Sequence, residues 1–374
     1  MRALVVLTQP PLAEGGAPGR VALGLLHGLV AHGVEVHALA ARQHFAAPGE
    51  PPPGLPVEVM SVAPPPAGLY GKLERFRRPR GEVARPEFLA RVRELAAKAD
   101  VVHLEETETA WCDLGVAKPS LVHVHYLIRR DRPLGPPWRE QFRDVLEFQL
   151  GERAAIRRHR YLVASSPLVA DALRSAAPNA EVVLAPLSLD PDLYPLATLD
   201  GPPVAGLIGT ATWPPTAAAM RRLVESVWPH VRRLAPDASL LLAGRGSDSL
   251  GLTAEPGVEV LGEVPSAREF FGRLSVLLFP IERGSGMKVK VLEAIASGVP
   301  VVTTPAGAEG IEPGDGVVVE EDWEHLAEAA AELLRDPQAR AQRGAAARAL
   351  FERAYAPEPA TAPLVQLYER MARA

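Results

Sequence analysis

LLFPIERGSGMKVKVLEAIASGVPVVTTPAGAEGIE, residues 277–312, is the stretch that decides the fold of this chain. An apolar run at Val276–Phe279 predicts a buried strand, and the turn Gly284-Ser285-Gly286 follows it. Apolar side chains then recur at helical spacing over Met287–Ser297, until a glycine and a proline end the predicted helix. A second strand begins at Val301. Strand, glycine turn, helix and strand in this order predict half of a doubly wound α/β domain.

The glycine turn predicts an anion site. Glycines let a ligand approach the backbone, and the first amides of a helix have no partner within it. Those amides and the helix dipole together favour a bound phosphate. Lys288, expected in the first helical turn, would add charge, while Lys290 and Glu293 share one helix face and suit a diphosphate and a ribose. A surface ion pair between Lys290 and Glu293, worth about 0.2–0.5 kcal/mol, is the alternative interpretation.

Residues 284–310, GSGMKVKVLEAIASGVPVVTTPAGAEG, closely resemble the donor-binding motif of GT-B glycosyltransferases, in particular the large family 4. The resemblance implies the GT-B fold, in which two Rossmann-like doubly wound domains face a central cleft. It also implies a nucleoside diphosphate sugar as donor, with Lys290 and Glu293 among the catalytic residues. The residues of the turn that would bind this donor are Gly284, Ser285, Gly286, Met287 and Lys288.

Many family 4 members carry two glutamates eight positions apart. Here Glu293 is the second, and Ser285 stands at the first position. Glu282 lies in the same turn and is the candidate to replace the missing carboxylate. The resemblance further implies retention of the anomeric configuration, with no bound metal and no cofactor. We accordingly expect the sequence to contain no Asp-x-Asp metal motif, which would also fit metal-independent transfer.

The first part of the chain predicts a βαβ unit with a glycine loop. Strand Ala3–Leu7 is followed by a helix over Val21–His32 and a strand over Val34–Ala40. Gly15 and Gly16 lie in the first connection, at the carboxyl end of a strand, where such sheets bind ligands. The spacing is not G-x-G-x-x-G, and a simple turn is an equally open interpretation. A comparable loop in GT-B enzymes faces the cleft beside sugar and acceptor.

Two predicted strands end in histidines. His103 lies near the end of the predicted strand Ala99–Leu104, and His123 and His125 point to the same side of the strand at 120–124. A role in the core is the default for each, and a metal is only weakly indicated because no carboxylate or third histidine has ligand spacing nearby. The segment PSLVHVHYL resembles a family segment in which a histidine contacts the donor sugar near the reacting carbon. By that resemblance His125 is the candidate, and His103 resembles a family position that borders the cleft.

Two strand ends in the second half supply further donor-site candidates. Gly209 and Thr210 follow the strand Val204–Ile208, in a segment resembling the family turn G-x-x-x-W-x-P-N, although Pro215 stands where asparagine is usual. Arg245 follows the next predicted strand and could reach a diphosphate. A solvent-exposed arginine without a ligand is the other open interpretation.

Length and composition predict two domains. A chain of 374 residues is too long for one ordinary α/β core, and 47% apolar residues are typical of a globular protein. We expect residues 1–190 to form an acceptor-binding Rossmann-like domain and 191–203, rich in proline and glycine, to form a linker. Residues 204–355 would bind the nucleotide sugar, and residues 356–374, with a helix over Pro363–Ala374, would pack back on the first domain. A single cysteine, Cys112, excludes an internal disulfide.

Charge and hydropathy limit the partners. A net charge of −5 argues against general nucleic-acid binding. Neither a signal peptide nor an apolar run of transmembrane length is apparent, so we expect a cytoplasmic protein. The basic stretch 72–93 is either a solvated surface or a site of attraction, to an anionic inner membrane leaflet that carries a lipid-linked acceptor or to an anionic acceptor.

The leading hypothesis is a hexosyltransferase. It would move a hexose-type sugar from a nucleoside diphosphate sugar to a hydroxyl of a glycan, lipid or small molecule. A GT-B nucleotide-sugar epimerase or phosphorylase is one alternative. A non-catalytic protein that binds nucleotide sugar and regulates or scaffolds another transferase is the other, and the missing first glutamate favours it.

Overall fold

The computed structural model describes residues 1–14, 16–43, 48–64, 68–139, 141–253 and 255–374, without the side chains of residues 69, 70 and 72. These residues form two compact units. The first comprises Met1–Ser188 and Pro357–Ala374, and the second comprises Leu189–Ala356. Among the described residues, no helix is both long enough and apolar enough to cross a membrane.

The first unit contains a seven-stranded parallel sheet in the order β3-β2-β1-β4-β5-β6-β7. The strands are β1 Arg2–Leu7, β2 Glu35–Arg42, β3 Val57–Ser61, β4 Val101–Glu105, β5 Ser120–Val124, β6 Tyr161–Ala164 and β7 Glu181–Leu184. The helices that accompany them are α1 Ala17–Ala31, α2 Gly68–Arg77, α3 Pro86–Ala96, α4 Ile128–Asp131, α5 Phe142–Arg158 and α6 Pro167–Ala176. The strand order reverses between β1 and β4, and ligands of such sheets bind at that point.

The second unit contains a six-stranded sheet in the order β10-β9-β8-β11-β12-β13. Its strands are β8 Val204–Ile208, β9 Ser239–Ala243, β10 Val258–Gly262, β11 Val276–Phe279, β12 Val301–Thr303 and β13 Val317–Val319. Its helices are α7 Pro214–Arg222, α8 Trp228–Leu234, α9 Ala267–Gly272, α10 Val289–Ala296, α11 Trp323–Arg335 and α12 Pro337–Ala354. Here the order reverses between β8 and β11, the strand that precedes the glycine turn.

The strands form where apolar runs can be buried on both faces, as parallel sheets require. In β1, Leu4 and Val6 pack into a core on one face with Phe88 of α3. The alternate residues, including Val5, pack on the opposite face with Leu25 of α1. Two doubly wound parallel sheets confirm the predicted α/β fold class.

The last helix, α13 Pro357–Arg373, belongs to the first unit and packs on α1. A side chain on Gly28 of α1 would overlap the carbonyl oxygen of Pro357, so the two helices touch backbone to backbone. The sequence places the helix start at Pro363, and this is wrong. Pro357 occupies the start, where proline is tolerated, and Pro363 lies within the helix.

The sequence also predicts one helix over Thr216–Leu234, and the structure has a continuous helical run there that changes type within it. A π-helical turn at Leu223–Val227 separates α7 from α8. Pro229, which has no N–H to donate, comes directly after this π-helical turn, at the second residue of α8.

Candidate active site

The glycine turn after β11 ends in an extended residue rather than in a helix. Gly286 has a φ of +67°, and Lys288 is extended at φ −96°, ψ 102°. Helix α10 therefore begins at Val289, and the prediction that Lys288 lies in the first helical turn is wrong. The carbonyl of Lys288 accepts from the amides of Val291 and Leu292 at 2.8 and 3.2 Å. The preceding amides of the first turn have no helical acceptor, as expected of an anion site.

The ammonium of Lys288 folds back on the turn. Its Nζ donates to the carbonyl of Gly286 at 2.6 Å and to that of Ser285 at 3.2 Å. A β-carbon on Gly284 would lie 3.1 Å from Lys288 Cε. The turn and the lysine thus fit each other closely, and one positive charge is fixed within the turn.

Lys290 brings a second positive charge to the end of β8. Its Nζ lies 4.6 Å from the ring centroid of Phe279, and a β-carbon on Gly209 would come within 2.9 Å of its Cε. Burial, with the charge of Lys288 as a second cause, lowers the pKa of Lys290 from 10.5 to about 8, although Glu293 opposes the shift. The structure therefore brings Gly209, Lys288 and Lys290 together at the point where the second sheet reverses its order.

Glu293 is buried one turn deeper in α10, with 3% of its surface exposed. Its Oε1 accepts from the hydroxyl of Tyr194 at 2.9 Å, and Tyr194 is itself buried. Because Glu293 is buried, a solvent-exposed ion pair with Lys290 does not describe this position.

The remaining donor-site candidates of the second unit lie at the ends of β8 and β9. A side chain on Gly244 would overlap the carbonyl of Gly209, so these two strand ends pack backbone to backbone. Thr210 is exposed. Arg245 is also exposed and pairs with Glu263, with its Nη2 3.1 Å from Oε1. Arg245 thus stands at the predicted strand end, but its guanidinium already has a carboxylate partner.

Glu282 does not point into the turn. It is half exposed and pairs with Arg222, whose guanidinium lies 5.0 Å from the ring centroid of Trp323. Ser285, at the position of the missing family glutamate, is buried.

In the first unit three histidines surround one carboxylate. Glu105, the last residue of β4, has Oε2 2.6 Å from His103 Nε2 and 3.2 Å from His123 Nδ1. Its Oε1 lies 2.7 Å from His125 Nε2. All four residues are buried. The sequence has no carboxylate or third histidine at ligand spacing from His123 and His125, but the structure places Glu105 and His103 beside them.

The charges in this cluster follow from its contacts. Burial opposes ionisation of Glu105, but the neighbouring His123 and His125, with hydrogen bonds from the rings, hold its pKa well below 4.5. Burial lowers the pKa of His123 to about 4 despite Glu105. For His125 burial is outweighed by Glu105, Glu106 and Glu108, which raise its pKa. The ionised form of Glu105 and the protonated form of His125 thus stabilise each other.

A second acidic residue, Glu106, occupies a strained backbone conformation at the reversal point of the first sheet. Its φ of +66° and ψ of 159° fall in a region that almost only glycine adopts. Its Oε2 accepts from Thr8 Oγ1 at 2.6 Å, and its Oε1 lies 3.8 Å from His125 Nδ1. Burial, reinforced by Glu108, raises its pKa to about 7.

Sequence reasoning missed the roles of Glu105 and Glu106, although a signal existed. His103 and Glu105 are two residues apart in β4 and therefore point to the same side, as do His123 in β5 and His125 just after it. Only the adjacency of the two strands, with Glu105 opposite His123, brings the four side chains together.

The described side chains of His103, Glu105 and His123 offer ligand atoms within 4.8 Å of one another, close enough to suggest a metal. The 2.6 Å between His103 Nε2 and Glu105 Oε2 is a hydrogen-bond distance, however, whereas two ligands of a tetrahedral zinc lie about 3.3 Å apart. Asp190-Pro191-Asp192 is an Asp-x-Asp sequence, contrary to our expectation. There Asp190 accepts from the amide of Asp192 at 3.0 Å in a short helical turn.

The glycine loop after β1 is described only in part. Gly15 lies outside the described residues. Gly16 precedes α1 with a φ of −73°, which any residue adopts, so its conformation does not require glycine.

Two family models match the chain, one in each unit. Residues 16–188 match the "Glycosyl transferase 4-like domain", and residues 202–336 match "Glycosyl transferases group 1". The two sheets and these matches define a GT-B glycosyltransferase. The chain belongs to the group 1 glycosyl transferases, which confirms the family and the enzyme class that the sequence predicted.

Solved structures share the fold across the whole chain. Sucrose-phosphate synthase from Thermosynechococcus elongatus has a TM-score of 0.71 and 17% identity, and the match covers 99% of both chains. HepE from Anabaena, solved in complex with UDP and glucose, has a TM-score of 0.64 and 16% identity over 100% of both chains.

One curated relative shows clear sequence similarity over part of the chain. It is the GDP-mannose-dependent monoacylated alpha-(1-6)-phosphatidylinositol monomannoside mannosyltransferase of Corynebacterium glutamicum, 36% identical over 140 residues. That stretch is 33% of this chain and 37% of the relative.

Proposed function

We propose that this protein transfers a hexose-type sugar from a nucleoside diphosphate sugar to an acceptor hydroxyl, with retention and without a metal or cofactor. One observation carries the proposal. Two lysine ammonium groups and the first amides of α10, which have no acceptor within the helix, meet at the reversal point of the second sheet, where ligands of doubly wound sheets bind.

The diphosphate is the leaving group of such a reaction. Negative charge grows on it as the glycosidic bond breaks, so donors already fixed in place favour the transition state over the ground state. Lys288 is fixed by the carbonyls of the turn, and Lys290 is held against Gly209. We assign both to the diphosphate, together with Gly284, Ser285, Gly286 and Met287.

Glu293 is assigned to the ribose hydroxyls. The hydroxyl of Tyr194 orients its buried carboxylate, which as an acceptor-only group suits two vicinal hydroxyls. His125 is assigned to the donor sugar by the family resemblance, and Gly15, Gly16 and His103 to the surroundings of sugar and acceptor. Gly209, Thr210 and Arg245 complete the proposed donor site.

The acceptor is proposed to be a glycan, a lipid-linked molecule or a small molecule. Support for the lipid-linked class comes from the relative that acts on a phosphatidylinositol mannoside and from the surface of α2. There Phe76 is 83% exposed between the exposed Arg75 and Arg77. We propose peripheral contact of residues 72–93 with the inner membrane leaflet, and hence a cytoplasmic place of action.

A thermal-shift panel of UDP, GDP and ADP with their sugars tests donor binding, since a ligand of the folded state raises its melting temperature. Release of labelled sugar to a broad acceptor panel then tests transfer. We expect both signals with at least one nucleotide sugar. Absence of any nucleotide effect would contradict the donor site.

A non-catalytic nucleotide-sugar-binding protein is the second candidate. Ser285 at the position of the family glutamate and the engagement of Glu282 by Arg222 favour it. Tight nucleotide binding without hydrolysis, transfer or epimerisation of any common donor would establish this function instead.

A further inference from the structure

A line of hydrogen bonds connects the last helix to His125. The hydroxyl of Tyr368 on α13 lies 2.5 Å from His103 Nδ1, and His103 Nε2 lies 2.6 Å from Glu105 Oε2. Glu105 Oε1 lies 2.7 Å from His125 Nε2. Every member is buried, and all four lie within the first unit.

The protons of this line follow from donor and acceptor chemistry. An ionised Glu105 only accepts, so the Nε2 atoms of His103 and His125 both carry protons that they donate to it. Burial, and Glu105 as a second cause, raise the pKa of Tyr368 well above 10, so its phenol stays protonated and donates to His103 Nδ1. Each polar atom that takes part in these three hydrogen bonds then has a partner of the correct kind.

These bonds leave Nδ1 as the ring atom of His125 that does not contact Glu105. It lies 3.8 Å from Glu106 Oε1, beyond hydrogen-bond distance. With Nε2 bonded to Glu105, the ring cannot rotate without leaving a carboxylate oxygen unsatisfied in a buried site, which costs more than an ordinary hydrogen bond gains.

We propose that Glu105 is a positioning residue, which fixes the ring of His125 so that Nδ1–H is offered as a hydrogen-bond donor to the substrate. We further propose that Tyr368, acting through His103, holds Glu105 in place and makes α13 a part of the active-site framework. This inference rests on the role assigned to His125 in the proposed function.

The charged surroundings agree with a protonated His125. Its pKa is raised, against burial, by Glu105 through its charge and hydrogen bond, and further by Glu106 and Glu108. The ring of His123 lies 4.7 Å away and is neutral at physiological pH because burial lowers its pKa to about 4. The titratable groups that face His125 from β4, β5 and the turn after β4 are thus Glu105, Glu106, Glu108 and His123.

The experiment combines a spectroscopic titration with kinetics in the full-length chain. The variants are Glu105→Gln, which keeps the shape and removes the charge, and Tyr368→Phe, which removes one hydroxyl. Tyr355→Phe in the second unit is the matched control, since Tyr355 is also a buried tyrosine and its hydroxyl accepts a hydrogen bond from the amide of Glu312. Histidine ring signals in NMR report the protonation and tautomer of His125, assigned with a His125→Asn variant.

We expect Glu105→Gln to lower the midpoint of the His125 titration by about one unit or more. We expect it to reduce kcat about 10- to 100-fold at little change in the donor KM, in keeping with the usual effect of removing a buried orienting partner. Tyr368→Phe should lower both the midpoint of the His125 titration and kcat, but by less than Glu105→Gln does. Tyr355→Phe should change neither quantity.

An unchanged His125 titration in folded Glu105→Gln would overturn the inference, and so would unchanged kcat. If Glu105→Gln does not fold, Tyr368→Phe decides by the same two measurements. If the wild-type protein transfers no sugar at all, the proposed function fails, but the NMR titration still decides whether Glu105 and Tyr368 set the state of His125.

Discussion

The side chain of Lys290 occupies the space that a side chain on Gly209 would take. A β-carbon there would lie 2.9 Å from Lys290 Cε, 3.1 Å from its Nζ and 3.0 Å from Thr216 Cγ2. The backbone of Gly209 is in turn covered by Gly244, whose own β-carbon would overlap it. The glycine at the end of β8 thus makes room for a charge that arrives from the first turn of α10.

Gly209→Ala should therefore displace Lys290. We expect nucleoside diphosphate affinity to fall about tenfold, or about 1.4 kcal/mol, together with about 1–3 kcal/mol of lost stability from overpacking. Isothermal titration calorimetry and urea denaturation measure the two effects. Gly272→Ala is the control, because a β-carbon there meets nothing within 4 Å. Equal affinities of the two variants would mean that Lys290 does not serve the phosphate.

Removal of the Lys290 charge should weaken binding directly. Lys290→Ala is expected to reduce nucleoside diphosphate affinity about 10- to 100-fold, while Lys290→Met, which keeps the length of the side chain, separates charge from packing. Both variants should bind the free nucleoside nearly as the wild type does. Nucleotide affinity that is unchanged in Lys290→Ala refutes the phosphate role.

The pH dependence of binding should report the same lysine. Burial lowers the pKa of Lys290 to about 8 in the free protein, and a bound diphosphate favours the ammonium and raises that pKa. Affinity should therefore decline as pH rises above 8, and proton uptake should accompany binding there.

The stability of the free protein should instead rise with pH between about 8 and 10.5. The cost of burying the ammonium of Lys290 is fully present below pH 8 and disappears as pH approaches 10.5. Titration calorimetry in two buffers measures the affinity and the proton uptake, and urea denaturation over the same pH range measures the stability. Lys290→Ala should show neither pH trend.

Tyr194→Phe tests the ribose assignment of Glu293. The hydroxyl of Tyr194 donates to a buried carboxylate, and such bonds contribute about 1.5–3 kcal/mol. We expect weaker binding of UDP or GDP but unchanged binding of inorganic pyrophosphate, which has no ribose. A parallel loss for pyrophosphate would show that the variant disturbs the whole turn, and Tyr355→Phe controls for loss of a phenol in the same unit.

The sheets could be predicted from the sequence because each strand is a short apolar run buried on both faces. Two strands of the second unit, Val204–Ile208 and Val276–Phe279, have the predicted bounds to the residue. The beginning of α10 could not be predicted, since the left-handed conformation of Gly286 and the extended Lys288 leave the apolar periodicity unchanged.

The site could be predicted only as far as its residues are neighbours in sequence. The turn at 284–288 and its lysines are local. The bond between Tyr194 and Glu293 joins residues 99 positions apart, and that between His103 and Tyr368 joins residues 265 apart. Such contacts depend on which elements lie side by side, and a hydrophobic pattern does not determine that choice. Glu105 and the three histidines are all present in the sequence, but their contacts follow only from the order of the strands.

The contact between α1 and α13 supports a last prediction, that the terminal helix is necessary for the first unit. Gly28→Ala places a methyl group against the carbonyl of Pro357 and the side chain of Thr361, and α13 cannot retreat without exposing the buried Leu364 and Leu367. We expect a loss of about 1–3 kcal/mol in unfolding free energy and faster proteolysis after α12. Gly314→Ala, where a β-carbon meets nothing within 4 Å, should leave the unfolding free energy and the rate of proteolysis unchanged.

If α13 also holds His103 through Tyr368, Gly28→Ala should lower transfer activity even under conditions where the protein is fully folded. Normal activity in a destabilised variant would separate the packing role of α13 from its role in the site.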